Sequence, residues 1–305
     1  MSRSVLKPTL TRAMAGGYLV LLWAVAIQAQ DAHIQRLAQE LKSQETGIRI
    51  QAARSLGRAS QAQSVLLLQQ ALPAERSASV RLEMVRALRN ISFLRYPGYP
   101  EALRALEQQS SDAVEPDEAV RLKATEALWE ASKKDLLDPV PFLQRNLGDR
   151  SPRLRLASVE MLRKLGTPAT IDALGQAALD AAQPETVRLK AIEAIGAAAQ
   201  VDLGPVGRQV QEANIEMARR FGAEPLAPAT SLAQRHQLQI RYLSALLRQP
   251  RAGSSLALRA VKSLGQVKDR SAVPVLQEVV AGHPDEAVRL QATKVLNHVL
   301  ARQYE

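Results

Sequence analysis

The amino-acid sequence predicts an all-α chain, an α-α superhelix of about seven helix-pair repeats, and three observations carry that prediction. A short motif recurs along almost the whole length. Its apolar positions keep a helical spacing in every copy. A second apolar-periodic segment precedes each copy, so the repeating unit is a pair of antiparallel helices.

The most regular copy covers Pro284 to Leu300, with Asp285, Val288, Arg289, Leu290, Ala292 and Leu296 setting the pattern. Looser copies begin at Ile48-Arg49-Ile50, Val80-Arg81-Leu82, Val120-Arg121-Leu122, Leu154-Arg155-Leu156, Val187-Arg188-Leu189 and Leu256-Ala257-Leu258. With the Arg (Ala257 in one copy) as position zero, successive copies lie 32, 40, 34, 33, 69 and 32 residues apart, so the fifth step is a double one. Position +3 is small everywhere except Met84, and position +7 is always Leu or Ile. On a helix, positions −1, 0, +1, +3, +4 and +7 share one broad arc and +2, +5 and +9 lie opposite. Each copy is therefore one face-buried helix.

Taken in order, repeat one pairs a helix around Ile34, Leu37 and Leu41 with the helix through Arg49 and Leu56. Its first helix is polar elsewhere (Arg36, Gln39, Glu40, Lys42), as a solvent-facing cap requires. Repeat two runs from about Gln61 to Ser92. An enlarged connection, Phe93 to Pro100, and the loop around Asp112 to Pro116 account for the 40-residue step. Repeats three (Glu101 to Ser132), four (Asp138 to Gly166) and five (Thr167 to Ala199) follow, several of their first helices opened by Pro139 or Pro168, where the missing N–H does no harm. In repeat six the first helix is expected at Pro205 to Phe221, and an extra loop and helix at about 222–248 explains the doubled step. Repeat seven starts near Ser271 with Pro274 in its first turn. It ends on an apolar edge, Val299 and Leu300.

The Pro-x-Leu helix followed by Asp-x-x-Val-Arg-x-x-Ala-x-x-x-Leu resembles HEAT repeats, in particular the short bacterial kind also found in phycobilin lyase subunits. The resemblance covers roughly residues 32 to 302. It implies a HEAT-like solenoid and is poor in functional content, because the fold serves many unrelated partners. Deoxyhypusine hydroxylases also use short HEAT-like repeats, but their paired His-Glu iron ligands have no counterpart in this sequence.

Composition narrows the chemistry. Aromatics are only 3% while 46% of residues are apolar, so Ala, Leu and Val fill the seams. The absence of cysteine excludes disulfides, thiolate metal sites and cysteine nucleophiles. The four histidines, His33, His236, His283 and His298, have no carboxylate at metal-ligand spacing, and no nucleophile elbow, phosphate loop or dinucleotide fingerprint occurs. No cofactor is expected.

At the N-terminus Arg3, Lys7 and Arg12 precede an apolar run from Ala13 to Ile27, with no acidic residue before Asp31. Residues 1–29 read as a secretory signal peptide cut after Ala29, leaving a solenoid at 30–305. The competing reading is an uncleaved membrane anchor. Its strongly apolar core, Tyr18 to Ile27, is short of the ~20 residues a span needs. Cleavage removes three positive charges and lowers the formal charge from +10 to +7. The expected place is the periplasm, with membrane association through the N-terminus only.

The recurrent motif arginine is expected to pack its stem in the seam and to meet loop acids such as Asp117, Asp149, Asp285 or Glu286. Asp117 and Asp285 also suit helix starts. Residues at +2, +5 and +9 are expected to line the inner surface of the superhelix. They are basic toward the ends (Arg54, Arg58, Arg86, Lys123, Arg259, Lys262) and mixed in the middle, where Glu126, Glu130, Glu160 and Glu193 interrupt the positive stripe that nucleic acid would need. Tyr96 and Tyr99 stand in a Pro-bounded connection that holds three of the eight aromatics remaining after cleavage, a setting suited to anchoring a partner. Phe93 suits seam packing, and Trp129 is expected to be partly buried. The expected function is a non-catalytic scaffold or adaptor of the cell envelope that binds one or more partner proteins through these eight residues, the six basic ones and the two tyrosines. The alternative is a subunit of a lyase-like or other modifying enzyme acting on a partner protein.

Overall fold

In the computed structural model, which describes residues 28–59, 61–198, 232–249, 253–267 and 269–301, every motif copy forms a helix. These motif helices are α2 (Thr46–Leu56), α4 (Ala78–Phe93), α6 (Glu118–Ser132), α8 (Pro152–Leu165), α10 (Glu185–Gly196), α12 (Ser254–Leu264) and α14 (Glu286–Ala301). Each is preceded by a leading helix: α1 (28–40), α3 (Ala62–Ala71), α5 (Tyr99–Gln109), α7 (Val140–Asn146), α9 (Pro168–Leu179), α11 (Leu232–Leu247) and α13 (Ala272–Gly282). Among the described residues there is no strand. Residues 1–27, which hold most of the predicted signal peptide, and Pro205 to Phe221 lie outside them.

The chain divides into two compact units, Met1–Leu137 and Asp138–Glu305. In the first, α2 stacks on α4 and α4 on α6, while α3 stacks on α5. In the second, α8, α10, α12 and α14 stack in succession, and α7, α9 and α11 form the matching layer. The sequence reading placed the leading helix of repeat six at Pro205 to Phe221 and counted the helix near 231–248 as additional. In the structure α11 takes the leading place, packing on α9 and pairing with α12.

The periodicity explains the core. Position +3 (Ala52, Met84, Ala124, Ser158, Ala191, Ala260, Ala292) is fully buried in all seven copies. Position +7 is fully buried in six, and Leu296, on α14, is half-buried. Close stacking also needs missing side chains. A Cβ on Gly57, at the end of α2, would come within 2.6 Å of the Ala87 Cα on α4, and one on Gly175 of α9 would enter the Tyr242 ring of α11. Helix starts follow their sequence signals: Asp117 accepts from the N–H groups of Ala119 and Val120, Ser151 from Leu154, Thr167 from Thr170, and Asp285 from Ala287 and Val288.

Five of the six motif arginines return to their own preceding loop, while Arg188 donates to the Ala178 carbonyl, ten residues back near the end of α9. Arg49 donates to the Ser43 and Gln44 carbonyls, Arg81 to Glu75 and Arg76, Arg121 to Glu115 and Pro116, Arg155 to Asp149, and Arg289 to His283 and Pro284. In these five the acceptor is the carbonyl six residues back, with the one five back added in all but Arg155. The same guanidinium also reaches the loop of the next repeat. Arg49 forks onto Glu75 at 2.7 and 3.0 Å, and Arg81 onto Glu115 at 2.8 Å twice. Arg155 donates to Gln183 at 3.1 Å and Arg188 to Gln249 at 3.3 Å. Of the expected acids, Asp117 and Asp285 cap helices and the Asp149 carboxylate accepts from the Ser151 N–H. Arg49 and Arg81 take their ion pairs from acids the sequence reading did not single out, Glu75 and Glu115, each six places before the next repeat's arginine.

Candidate binding surface

The positions opposite the buried arc emerge on α2, α4 and α6 as one polar surface in the first unit. Arg54, at +5 on α2, and Arg86, at +5 on α4, are each about half exposed. Between them lies Glu83, the one predicted outward residue that is buried, at 7% exposure. Its carboxylate accepts from Arg54 Nε at 3.0 Å and from Arg86 Nη1. The Arg54 guanidinium, with Arg86 beside it, holds this carboxyl below the usual carboxylate range in spite of its burial. Arg54 is in turn pushed above its ordinary value by the bond to Glu83. Glu83 is thus a fixed anion that sets two cations side by side.

Further along the same face Arg89 reaches Glu130 at 2.6 Å, and Lys123 pairs with Glu126. Arg54, Arg58, Glu83, Arg86, Arg89, Asn90, Lys123 and Glu130 border a groove of about 350 Å³. Four of the sequence-predicted residues, Arg54, Arg58, Arg86 and Lys123, are therefore brought to one place. Arg58 is exposed and has no ion-pair partner among the described residues. It also borders a second cavity of about 590 Å³ beside His33 and Ile34 of α1.

Arg259 and Lys262 belong to the second unit. Arg259 shares Glu193 with Lys190, at 3.5 and 3.0 Å, and Lys262 is exposed. Glu160 similarly takes Arg163 and Lys164. The carboxylates that interrupt the sequence's positive stripe are consumed locally here.

Tyr96 and Tyr99 do not border the groove. Both are half-buried. Tyr99 is the first residue of α5, preceded by Gly98 at φ 86°, a left-handed conformation that glycine adopts without steric cost. A Cβ on Gly98 would lie 3.1 Å from Val65, so the connection is seated on α3. Phe93 is held between cations, with Lys134 Nζ 3.2 Å and Arg89 Cζ 5.5 Å from its ring centre, while Leu94 is exposed. Trp129 is half-buried beneath Lys133.

One pair escaped the sequence reading. His236 of α11, 5% exposed, sits 3.2 Å from Asp269 in the turn before α13. The two are 33 residues apart, and no local spacing could have joined them. The Ser271 N–H and hydroxyl, with His236, hold the Asp269 carboxyl below its ordinary value. The pair ties a leading helix to the following turn. Among the described residues no group of His, Asp and Glu could hold a metal ion.

Residues 34–115 and 111–196 match the family model for HEAT repeats, and 256–282 match that for the PBS lyase HEAT-like repeat. Among solved structures, human deoxyhypusine hydroxylase is 18% identical, the match covering 90% of this chain and 99% of its own, with a TM-score of 0.36. An E. coli protein, YibA, is 16% identical, with 97% and 99% coverage and a TM-score of 0.35. No curated protein matches.

Proposed function

The chain belongs to the HEAT-repeat family, and from that premise we propose that it is a non-catalytic scaffold or adaptor of the cell envelope, holding a partner protein on the outward residues of its motif helices. The observation that carries this reading is the surface of α2, α4 and α6. There a fixed carboxylate orders two guanidinium groups beside a third cation that has no ion-pair partner among the described residues, and together they border an open groove. Such a surface supplies donors and shape to a partner, and a helical-repeat array presents it without needing an enclosed cleft. The envelope assignment is supported by the basic, then apolar, acid-free N-terminal segment. Among the described residues no helix is long and apolar enough to cross a membrane.

The match of 256–282 to the PBS lyase HEAT-like repeat favours a second reading, a subunit of a lyase-like enzyme acting on a group attached to another protein. A tightly bound chromophore in protein purified from its native cells would support that reading, and a colourless product would oppose it.

The test of the scaffold is crosslinked affinity purification from native cells with quantitative mass spectrometry of partners and of the N-terminal peptide. The expected result is a stoichiometric envelope protein and a mature start at Gln30. Cytoplasmic partners together with intact residues 2–29 would overturn the compartment.

A further inference from the structure

The groove in the first unit has a chemistry that narrows its occupant. Five basic side chains (Arg54, Arg58, Arg86, Arg89, Lys123) border it against two carboxylates, Glu83 and Glu130, and both carboxylates are already bonded. Arg54 and Arg86 each give Glu83 a single hydrogen bond, out of the five N–H donors a guanidinium carries. The remaining donors stand on side chains that are about half exposed. Because Glu83 fixes both guanidinium groups beforehand, an incoming anion meets donors whose freedom is already spent, which lowers the ordering cost of binding. Arg58 of α2 adds a charge with no ion-pair partner among the described residues, and Lys123 of α6 adds one shared with Glu126.

The spacing is informative too. The cations rise from three stacked helices, and packed helices lie about 8–10 Å apart. A polyproline-type extended chain brings every third side chain to the same side after about 9 Å. Such a chain running across α2, α4 and α6 would set one acidic side chain against each helix in turn. A nucleic-acid strand fits less well, since no aromatic side chain borders the groove to stack a base and Glu83 and Glu130 lie in the phosphate path.

We propose that this groove binds an extended acidic segment of the partner protein, with Asp or Glu at every third residue, the carboxylates meeting Arg54 and Arg58 on α2, Arg86 on α4 and Lys123 on α6. The inference rests on the scaffold reading above.

The test uses the full mature chain and fluorescence anisotropy with three labelled probes: a Glu-Pro-Ser peptide repeated four times, a peptide of the same composition with its four Glu contiguous, and a dodecathymidine strand. Anionic phosphatidylglycerol vesicles are assayed by co-sedimentation. The periodic peptide is expected to bind most tightly and to weaken as salt rises. Arg58→Glu, which breaks no ion pair among the described residues and whose fold is checked by circular dichroism, is expected to weaken it about tenfold, and Arg58→Glu with Arg86→Gln further. No binding of the periodic peptide, equal binding of the contiguous one, tighter binding of the oligonucleotide or vesicles, or indifference to Arg58→Glu would each overturn the proposal. Repeating the partner capture separates the two readings. A natural partner still held by Arg58→Glu/Arg86→Gln sinks the groove and spares the scaffold, whereas a wild-type chain that captures no stoichiometric partner sinks the scaffold itself.

Discussion

Arg81 and Glu115 show how much one residue type does in this chain. The carboxylate is 1% exposed and the guanidinium nearly as hidden, yet every bond of the pair is supplied by backbone carbonyls, the Asp117 N–H and each other. Removing one partner strands the other, and Glu115→Ala is expected to cost about 3–5 kcal/mol in urea unfolding. Glu75 extends the argument to pH. Burial pushes its carboxyl up, but the Arg49 fork, the Ser77 N–H and the nearby Arg81 charge outweigh burial and hold it below the ordinary value. A folded-state value below that of the unfolded chain means that the stabilisation is complete above the unfolded pKa of about 4.3. It is lost as pH falls through the lower folded value. The melting temperature should therefore drop between pH 7 and pH 3, and Glu75→Gln should show a smaller drop than the wild type in circular dichroism melts. The rungs to Gln183 and Gln249 have no titrating acceptor and are indifferent to this change.

At the scale of the element, the seams are set by absent atoms as much as by present ones. Gly57 has ordinary helical dihedrals, so Gly57→Ala meets no backbone strain. Its new methyl collides with the Ala87 backbone instead, and the expected loss is about 1–3 kcal/mol in the same unfolding assay. Gly47→Ala on the same helix has nothing within 4 Å and should be neutral or stabilising by up to about 1 kcal/mol. Which glycine is which could not be read from the sequence, because both sit at the ends of an amphipathic segment; only the neighbouring helix distinguishes them. The helices themselves were legible, since a Val-Arg-Leu start, a small +3 and a Leu at +7 bury the same arc in every copy. At repeat six the expected helix at Pro205 to Phe221 lies outside the described residues, and the helix that stacks on α9 is the one the sequence counted as additional. The groove was half legible. Periodicity sends Arg54, Arg86 and Lys123 to one face, but it also sends Glu83 to solvent, and only the approach of α2 to α4 turns that residue into a buried clamp. The Tyr96 and Tyr99 connection belongs to this scale as well. If it contributes to partner recognition, Tyr96→Ala with Tyr99→Ala should abolish capture while leaving peptide binding in the groove unchanged, a separation that follows from their absence from its border.

For the whole molecule, the formal charge of +10 is not spread evenly in effect. In the second unit Glu160 and Glu193 each serve two bases, whereas in the first Arg58 stands without an ion-pair partner among the described residues and Glu83 arms the cations around it. Net charge alone would assign the protein a generalised taste for anions; the distribution of counter-charges localises it. The arginine rungs carry one more consequence. They close over 26, 34, 28 and 61 residues from donor to acceptor, although the return from the arginine to its own repeat spans only five to ten residues. The fold therefore counts residues only in that short return, and sequence grafted elsewhere leaves the seams in register. New surface can be acquired by a local duplication in a connection, with no compensating change at a distance, and the 40- and 69-residue steps are two such enlargements already written into the chain.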